Sequence, residues 1–153
     1  MNLKIGEKDY KLEYTFEAVL YEKCIEKIVD LFGSIAVAEV AEEDKANESV
    51  TKDALKQMVG FPRTVITLFY AGLLENNPVE TEEEAKTLLK QYFKENPDAD
   101  AGNFYGMMSA ILEQMEEDGF FKQIGLMDGP QKNQPKSPQD HKLKATSKKV
   151  TAK

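Results

Sequence analysis

The sequence predicts a mainly α-helical fold with a small N-terminal β-hairpin, an α+β chain that ends in a disordered basic tail. Apolar residues alternate from residue 3 to residue 14, recur at helical spacing from residue 16 to residue 121, and almost disappear after residue 128. A length of 153 residues is typical of one domain. We therefore expect a compact helical domain over 1–125 and a disordered tail over 126–153.

The hairpin is predicted by apolar residues that alternate on both sides of a short polar gap at 6–9. The strands should lie near Asn2–Ile5 and near 10–13, with the apolar residues on one face. Because two strands alone are only marginally stable, this face should pack against a helix. The apolar residues are Leu3, Ile5, Tyr10, Leu12 and Tyr14.

A first helix is predicted over 16–32. Thr15 is a suitable N-cap, and Gly33 is a natural end because glycine favours the position after a helix. The next segment, 34–47, is small and apolar in its first half and charged in its second half. This segment fits either a weak helix or a loop.

Two further helices are predicted between residues 49 and 75. A short one, capped by Ser49, covers 51–59. Pro62 then begins the second, because the N–H that proline lacks would be unpaired in a first turn anyway. Its segment 65–74 is apolar almost all round, which is typical of a central buried helix.

The clearest amphipathic pattern covers 82–95, where apolar residues recur at i, i+3, i+4, i+7 and i+8. Thr81 and Glu84 have the spacing of a capping box, in which the threonine oxygen accepts a backbone N–H and the glutamate bonds back. The pattern therefore predicts a helix with a defined start.

The last helix is predicted over 104–118, with Asn103 or Asp100 as its N-cap. Gly119 should end it, because glycine readily adopts the left-handed conformation that follows a helix. The dipeptide at 120–121, two phenylalanines, predicts a final anchoring turn.

The charge of the chain is divided unequally. The net charge is −7, but 126–153 holds seven lysines against two aspartates, so that segment carries +5 and 1–125 carries −12. An acidic body repels nucleic acid and favours cationic or apolar partners. The tail alone could contact phosphate, although it has no aromatic residue on which a base could stack.

The cysteine content fits a reducing compartment, although a cysteine-poor exported protein fits it as well, and no segment is predicted to cross a membrane. Cys24 is the one cysteine, so an internal disulfide cannot form. Residues 1–9 lack the continuous apolar core of a secretion signal. The apolar run at 65–74 is too short for a bilayer, which needs about 20 residues.

Residues that carry catalytic chemistry are scarce. The single histidine, His141, falls in the predicted disordered tail, where nothing would orient it. Cys24 falls on the apolar face of the first predicted helix, where a buried structural thiol is the simpler interpretation. The sequence has neither a glycine-rich phosphate loop nor paired cysteines at zinc spacing. We therefore expect a protein that is not an enzyme and has no cofactor or metal.

One cluster of residues favours partner binding. Methionines and aromatic residues concentrate in the last predicted helix and its exit, and methionine adapts to varied apolar shapes. Ordinary core packing is the alternative explanation for the same residues. The candidate partner-binding residues are Phe104, Met107, Met108, Met115, Phe120 and Phe121.

Several motifs, taken in order, carry a family resemblance. They are Leu3-Lys4-Ile5-Gly6, Tyr10-Lys11-Leu12, Phe16, Leu68-Phe69-Tyr70-Ala71-Gly72-Leu73-Leu74-Glu75-Asn76-Asn77-Pro78 and Thr81-Glu82-Glu83-Glu84-Ala85, the last followed by Leu88-Leu89 and Tyr92. Over 1–121 the chain resembles the tail assembly chaperones of long-tailed phages that infect Gram-positive bacteria. The segment 34–47 fits the family pattern least well.

The resemblance implies a function and a set of partners. Such chaperones bind the tape measure protein in the host cell cytoplasm and keep it soluble while the tail tube assembles around it. Many also exist as a longer frameshifted form, whose extension recruits tail tube protein. The family carries no catalytic residues, so the resemblance implies none here.

Two other functions remain open at the level of sequence. One is a structural tail or connector protein that stays in the virion. The other is a small adaptor that uses its basic tail on nucleic acid. Self-association into a homo-oligomer is compatible with all three.

Overall fold

The structure, a computed structural model, describes residues 1–41 and 48–126, with the side chains of 1–33 and 59–126. The predicted mainly helical chain with an N-terminal hairpin is confirmed. Residues 127–153 of the predicted tail lie outside the described residues, as do residues 42–47. The elements are β1 (Asn2–Ile5), β2 (Lys8–Lys11), α1 (Phe16–Leu20), α2 (Glu22–Ala41), α3 (Glu48–Leu73), α4 (Glu82–Glu95), α5 (Phe104–Glu117) and α6 (Phe120–Gln123).

The hairpin is antiparallel, with Leu3 opposite Tyr10. Its turn has two residues and not the predicted four, because Gly6 adopts a left-handed conformation (φ +61°) that reverses the chain at once. The second strand therefore runs over Lys8–Lys11 and not over 10–13. Beyond it, Leu12 and Tyr14 still point inward and are fully buried.

Helix α3 is the centre of the fold and packs against α2, α4 and α5. The apolar run predicted to be buried lies in its C-terminal half, where Val65, Leu68 and Phe69 have no solvent exposure. Inward residues of the hairpin and of the other helices join them in one core. The predicted central position of this segment is confirmed.

The predicted single helix over 16–32 is wrong in two ways. Tyr21 adopts an extended conformation (φ −80°, ψ 98°) and divides it into α1 and α2, because its ring packs edge-on against Tyr70 with the centroids 5.5 Å apart. At the other end α2 passes through Gly33 to Ala41. A glycine inside a helix costs only about 1 kcal/mol relative to alanine, and no turn-forming sequence follows it directly.

The predicted helix start at Pro62 is also wrong. Helix α3 runs without a break from Glu48 to Leu73, with Pro62 in its interior, and so replaces the two helices predicted there. Proline removes one helical hydrogen bond and normally costs about 3 kcal/mol. Packing on both sides offsets that cost, since Phe61 stacks on Tyr105 and Val65 is fully buried.

The predicted start of α4 is confirmed. Thr81 accepts a hydrogen bond from the backbone N–H of Glu84 at 3.2 Å. The carboxylate of Glu84 bonds to the N–H of Glu80 at 2.8 Å, one residue before the donor that a capping box would use. The bounds of α4, Glu82–Glu95, are those predicted.

Helix α5 likewise begins as predicted. Asn103 accepts hydrogen bonds from the N–H groups of Tyr105 and Gly106, both at 3.0 Å. The helix ends beside Gly119, whose φ of +73° ends the helical conformation before the short α6 begins. The predicted final turn is confirmed as Phe120–Gln123.

Hydrogen bonds join the N-terminal segment to helix ends far along the chain. The N–H of Gly6 bonds to the carboxylate of Glu95 at 2.7 Å. The N–H of Tyr14 bonds to the carboxylate of Asp118 at 2.8 Å, although 104 positions separate the two residues. These bonds attach the hairpin and the segment after it to the C-terminal ends of α4 and α5.

Candidate partner-binding surface

The residues predicted to bind a partner lie mostly in the core. Five of them are buried and Phe104 is half-buried. Their positions agree with the alternative of ordinary core packing, because the inward stripe of α5 and the α6 turn form one side of the core. Their role in partner binding stays a prediction, and it requires the core to open. The five buried residues are Met107, Met108, Met115, Phe120 and Phe121.

Large apolar side chains are exposed elsewhere on the body. Isolated cases are ordinary on protein surfaces, whereas pairs of exposed apolar side chains are more informative. In the described part of the chain, one such pair lies on α1, and between α3 and α5 an exposed ring stacks on a half-buried one. The exposed side chains in the described part of the chain include Phe16, Leu20, Val29, Val59, Tyr105 and Leu126.

The first pair, which we call the α1 pair, consists of Phe16 and Leu20. Their i, i+4 spacing places both on the outer face of α1, where they are 64% and 62% exposed. The start of α1 is attached to the C-terminal end of α3, because Glu75 accepts hydrogen bonds from Thr15 Oγ1 at 2.7 Å and from the N–H of Glu17 at 3.3 Å. Thr15 therefore donates its hydroxyl to Glu75 and does not cap the helix as predicted.

The second pair, the α3–α5 pair, consists of Phe61 and Tyr105. Their rings stack with centroids 4.7 Å apart and planes inclined by 28°. Phe61 is half-buried, whereas Tyr105 remains 68% exposed. Phe104, the next residue back, turns inward and packs edge-on against Phe93 at 5.1 Å. The first turn of α5 thus sends one aromatic ring into the body and presents the other to solvent.

The outer face of α5 continues from this aromatic pair into carboxylates. At about 100° per residue its exposed residues Tyr105, Ser109, Glu113 and Glu116 fall within an arc of about 80°. Among the described residues, neither glutamate has a hydrogen-bond or ion-pair partner for its side chain. One face of one helix is therefore aromatic at its start and negatively charged towards its end.

A cleft of about 620 Å³ lies between α3 and the start of α4. Glu82, on its wall, binds three groups from two other helices and the α1–α2 junction: Thr67 Oγ1 at 2.7 Å, the Tyr21 hydroxyl at 3.3 Å and Lys23 Nζ at 3.8 Å. These contacts give Glu82 a structural role, because they join α2 and α3 to α4. The residues that line the cleft are Arg63, Ile66, Thr81, Glu82, Glu83 and Lys86.

Replacing Glu82 by alanine is expected to destabilise the fold by about 1–3 kcal/mol, because it leaves the hydroxyl of the buried Thr67 without its acceptor. Chemical unfolding followed by circular dichroism measures the change. Glu83→Ala is the matched control: this neighbour is exposed, and among the described residues its side chain pairs with Lys86 alone. Equal stability of the two variants would contradict the assigned role of Glu82.

The motif at 68–78 that carries the family resemblance positions the N-terminal segment. Tyr14 donates its hydroxyl to the carbonyl oxygen of Leu68 at 3.1 Å, and its ring lies against Gly72. Asn76 donates to the carbonyl oxygen of Lys11 at 3.4 Å. These three motif residues therefore hold the N-terminal segment against the C-terminal end of α3.

Cys24 is buried, as its place on the apolar face predicted. Burial raises the pKa of its thiol from 9.0 to about 12, so the thiol stays protonated near neutral pH and is a poor nucleophile. Among the described side chains, those of 1–33 and 59–126, no group of three acidic, histidine or cysteine residues is arranged to hold a metal ion. Over 1–41 and 48–126, no helix has both the length and the apolar character to cross a membrane.

Three buried or half-buried groups predict that the fold loses stability in alkaline solution. Burial raises the pKa of the Cys24 thiol, and it raises the pKa of Tyr14 well above 10.0. Burial and the nearby Glu82 carboxylate raise the pKa of Tyr21 to about 12. Because the folded pKa values exceed the unfolded ones, this stability is complete below about pH 9 and is lost as pH rises towards 12. Unfolding midpoints measured from pH 7 to pH 11 should fall above about pH 9. A constant midpoint would contradict the prediction.

The chain has no match among models of protein families, curated proteins or solved structures. Its function therefore has to be argued from its motifs and its exposed surfaces. In sequence, Tyr105 belongs to the same cluster of methionines and aromatic residues, but it is not among the candidate partner-binding residues, and Phe61 lies outside that cluster. The available signal was that Tyr105 is a large aromatic residue outside the inward stripe of α5.

Proposed function

We propose that this chain is a tail assembly chaperone, a protein without enzymatic activity that binds a tape measure protein and keeps it soluble while a phage tail tube assembles. The motifs at 3–12, 68–78 and 81–85 support the proposal through their family resemblance. The setting is the host cell cytoplasm. The partners are the tape measure protein and, through a longer frameshifted form, the tail tube protein.

The observation that carries the proposal is a pair of exposed apolar surfaces on an acidic body. The α1 pair and the α3–α5 pair leave three large side chains more than 60% exposed. Residues 1–125 together carry a net charge of −12. Burying the apolar side chains against a partner is favourable. The negative charge opposes self-association of the complex through electrostatic repulsion.

A long helical partner with apolar stripes would match these surfaces. A tape measure protein of that kind exposes apolar side chains until the tube encloses them, and it aggregates through them. An aromatic residue such as Tyr105 covers a large apolar area at a small cost in side-chain entropy. A few such contacts give binding that the growing tube can displace, which a chaperone needs.

Co-expression with the tape measure protein of the same phage tests the proposal. The soluble fraction of that protein should rise several-fold with this chain and return towards its unassisted level with a double variant, Phe16→Ser and Tyr105→Ser. Lys4→Ser, an exposed substitution on β1, is the matched control and should protect as well as the unaltered chain. Equal aggregation with and without the unaltered chain would overturn the proposal.

A further inference from the structure

We propose that the outer face of α5 selects its partner by charge as well as by apolar contact, and that the segment it binds is an amphipathic helix with an apolar anchor followed by basic residues. The proposal deepens the proposed function, because it specifies the partner segment that a tail assembly chaperone of this kind would take. It depends on two features of one helix face, the α3–α5 pair and the carboxylates beyond it.

The apolar half of the site is the stacked pair of Phe61 and Tyr105. Contact with Phe61 restricts the ring of Tyr105, so little side-chain freedom remains to be lost on binding. Most of Tyr105 nevertheless faces solvent. Aromatic side chains in this position are frequently the residues that contribute most to an interface. An apolar side chain of the partner would bury this exposed ring.

The charged half of the site consists of Glu113 and Glu116. At about 1.5 Å per residue they lie roughly 12 and 16 Å from Tyr105 along the axis of α5. Half-buried Leu112 lies between the two ends of the face. Two carboxylates that have no partner among the described residues, at a fixed distance from an aromatic anchor, complement cations at the corresponding distance on a partner.

A helix is the partner secondary structure that matches this face. Helices that pack at about 20° stay in contact along several turns, so a partner helix could follow α5 from Tyr105 to Glu116. Lysine or arginine about 8 and 11 residues from the apolar anchor would then reach the two carboxylates. A partner with glutamate at those positions would be repelled.

Two synthetic helical peptides test the inference without any tape measure protein. Both peptides carry leucines that contact the aromatic pair. At the positions 8 and 11 residues beyond this apolar anchor, one peptide has lysine and the other has glutamate. At about 50 mM salt the lysine peptide should bind roughly tenfold more tightly by fluorescence anisotropy, and the ratio should shrink at about 500 mM salt. Tyr105→Ala should weaken the binding of both peptides about tenfold.

A charge reversal supplies the sharpest comparison. The double variant Glu113→Lys and Glu116→Lys should reverse the preference and bind the glutamate peptide more tightly. The control, Glu7→Lys and Asp9→Lys in the hairpin, changes the net charge by the same amount and should keep the original preference. Melting curves of all variants verify that each is folded.

Two results would overturn the inference. One is equal affinity of the unaltered chain for both peptides. The other is a homodimer in sedimentation that Tyr105→Ala dissociates, because this face would then belong to a second copy of the chain. A failure of the co-expression test alone would reject the chaperone function but leave a peptide preference standing, so the two proposals fail separately.

Discussion

Replacing Gly106 by alanine is expected to abolish stable folding. A Cβ at this position would overlap the carbonyl oxygen of Asp100 and lie 2.8 Å from its carbonyl carbon. Both atoms are backbone, so relief requires the α4–α5 connection to move away from α5. We expect a loss of about 4 kcal/mol or more, a large part of the roughly 5–15 kcal/mol that stabilises a typical domain.

The measurement is chemical unfolding of the purified variant, with expression in the soluble fraction as a first indication. Gly60→Ala provides the control, since Gly60 lies inside α3 and an added Cβ there meets nothing within 4 Å. Alanine at that position should leave stability unchanged or raise it by up to about 1 kcal/mol. A Gly106→Ala protein as stable as the unaltered chain would contradict the close backbone contact.

The contact between Tyr14 and Gly72 predicts the second large effect. Tyr14 is fully buried, and a Cβ on Gly72 would lie 2.7 Å from both Cζ and the hydroxyl oxygen of its ring. The ring has little room to move, because it also packs edge-on against Phe120 at 6.4 Å. Gly72→Ala should therefore cost about 2–3 kcal/mol through overpacking, and Tyr14→Ala about 3–5 kcal/mol through the cavity it leaves.

A double-mutant cycle isolates this contact. In a Tyr14→Leu background the smaller side chain leaves room for a methyl group, so adding Gly72→Ala should cost less than it does beside tyrosine. We expect a coupling of about 1–2 kcal/mol in urea unfolding. Additive effects of the two substitutions would show that the alanine is accommodated by movement of α3 and not by the ring. The single variant Tyr14→Phe gives the separate contribution of the hydroxyl bond to Leu68.

The elements whose signals are local could be predicted from the sequence. The bounds of α4 follow from a complete apolar stripe and from Thr81, and the start of α5 follows from Asn103. The hairpin follows from alternation, although its turn at Gly6 is tighter than expected. In each case the residues that set the structure are neighbours in sequence.

Three other features were predicted wrongly, two of them because they depend on contacts between distant residues. Pro62 does not begin a helix because α5 and the core hold α3 on both sides of it. Tyr21 interrupts a strong helical pattern because Tyr70 and Glu82 lie opposite it. Gly33 does not end α2 because glycine permits a helix end without requiring one.

The candidate site shows the same division. The methionine and phenylalanine content of the last helix suggested a partner-binding surface. Periodicity cannot distinguish an adaptable binding surface from a buried core, because both prefer the same residues. The structure places Met107 inside and Tyr105 outside, two positions apart on α5. What distinguishes them is which side of the helix faces α3, a fact that depends on how the chain folds back on itself.

The bond between Tyr14 and Asp118 has a consequence for the order in which the protein forms during synthesis. Ribosomes add about 5–20 residues per second, so the 104 positions between these residues correspond to roughly 5–20 s of translation. During that interval Tyr14 and the strands before it have no α5 to join. The N-terminal segment, although made first, completes its contacts last. Its contacts with α3 and α4 can form earlier, but the bond to Asp118 forms only after the end of α5 has left the ribosome.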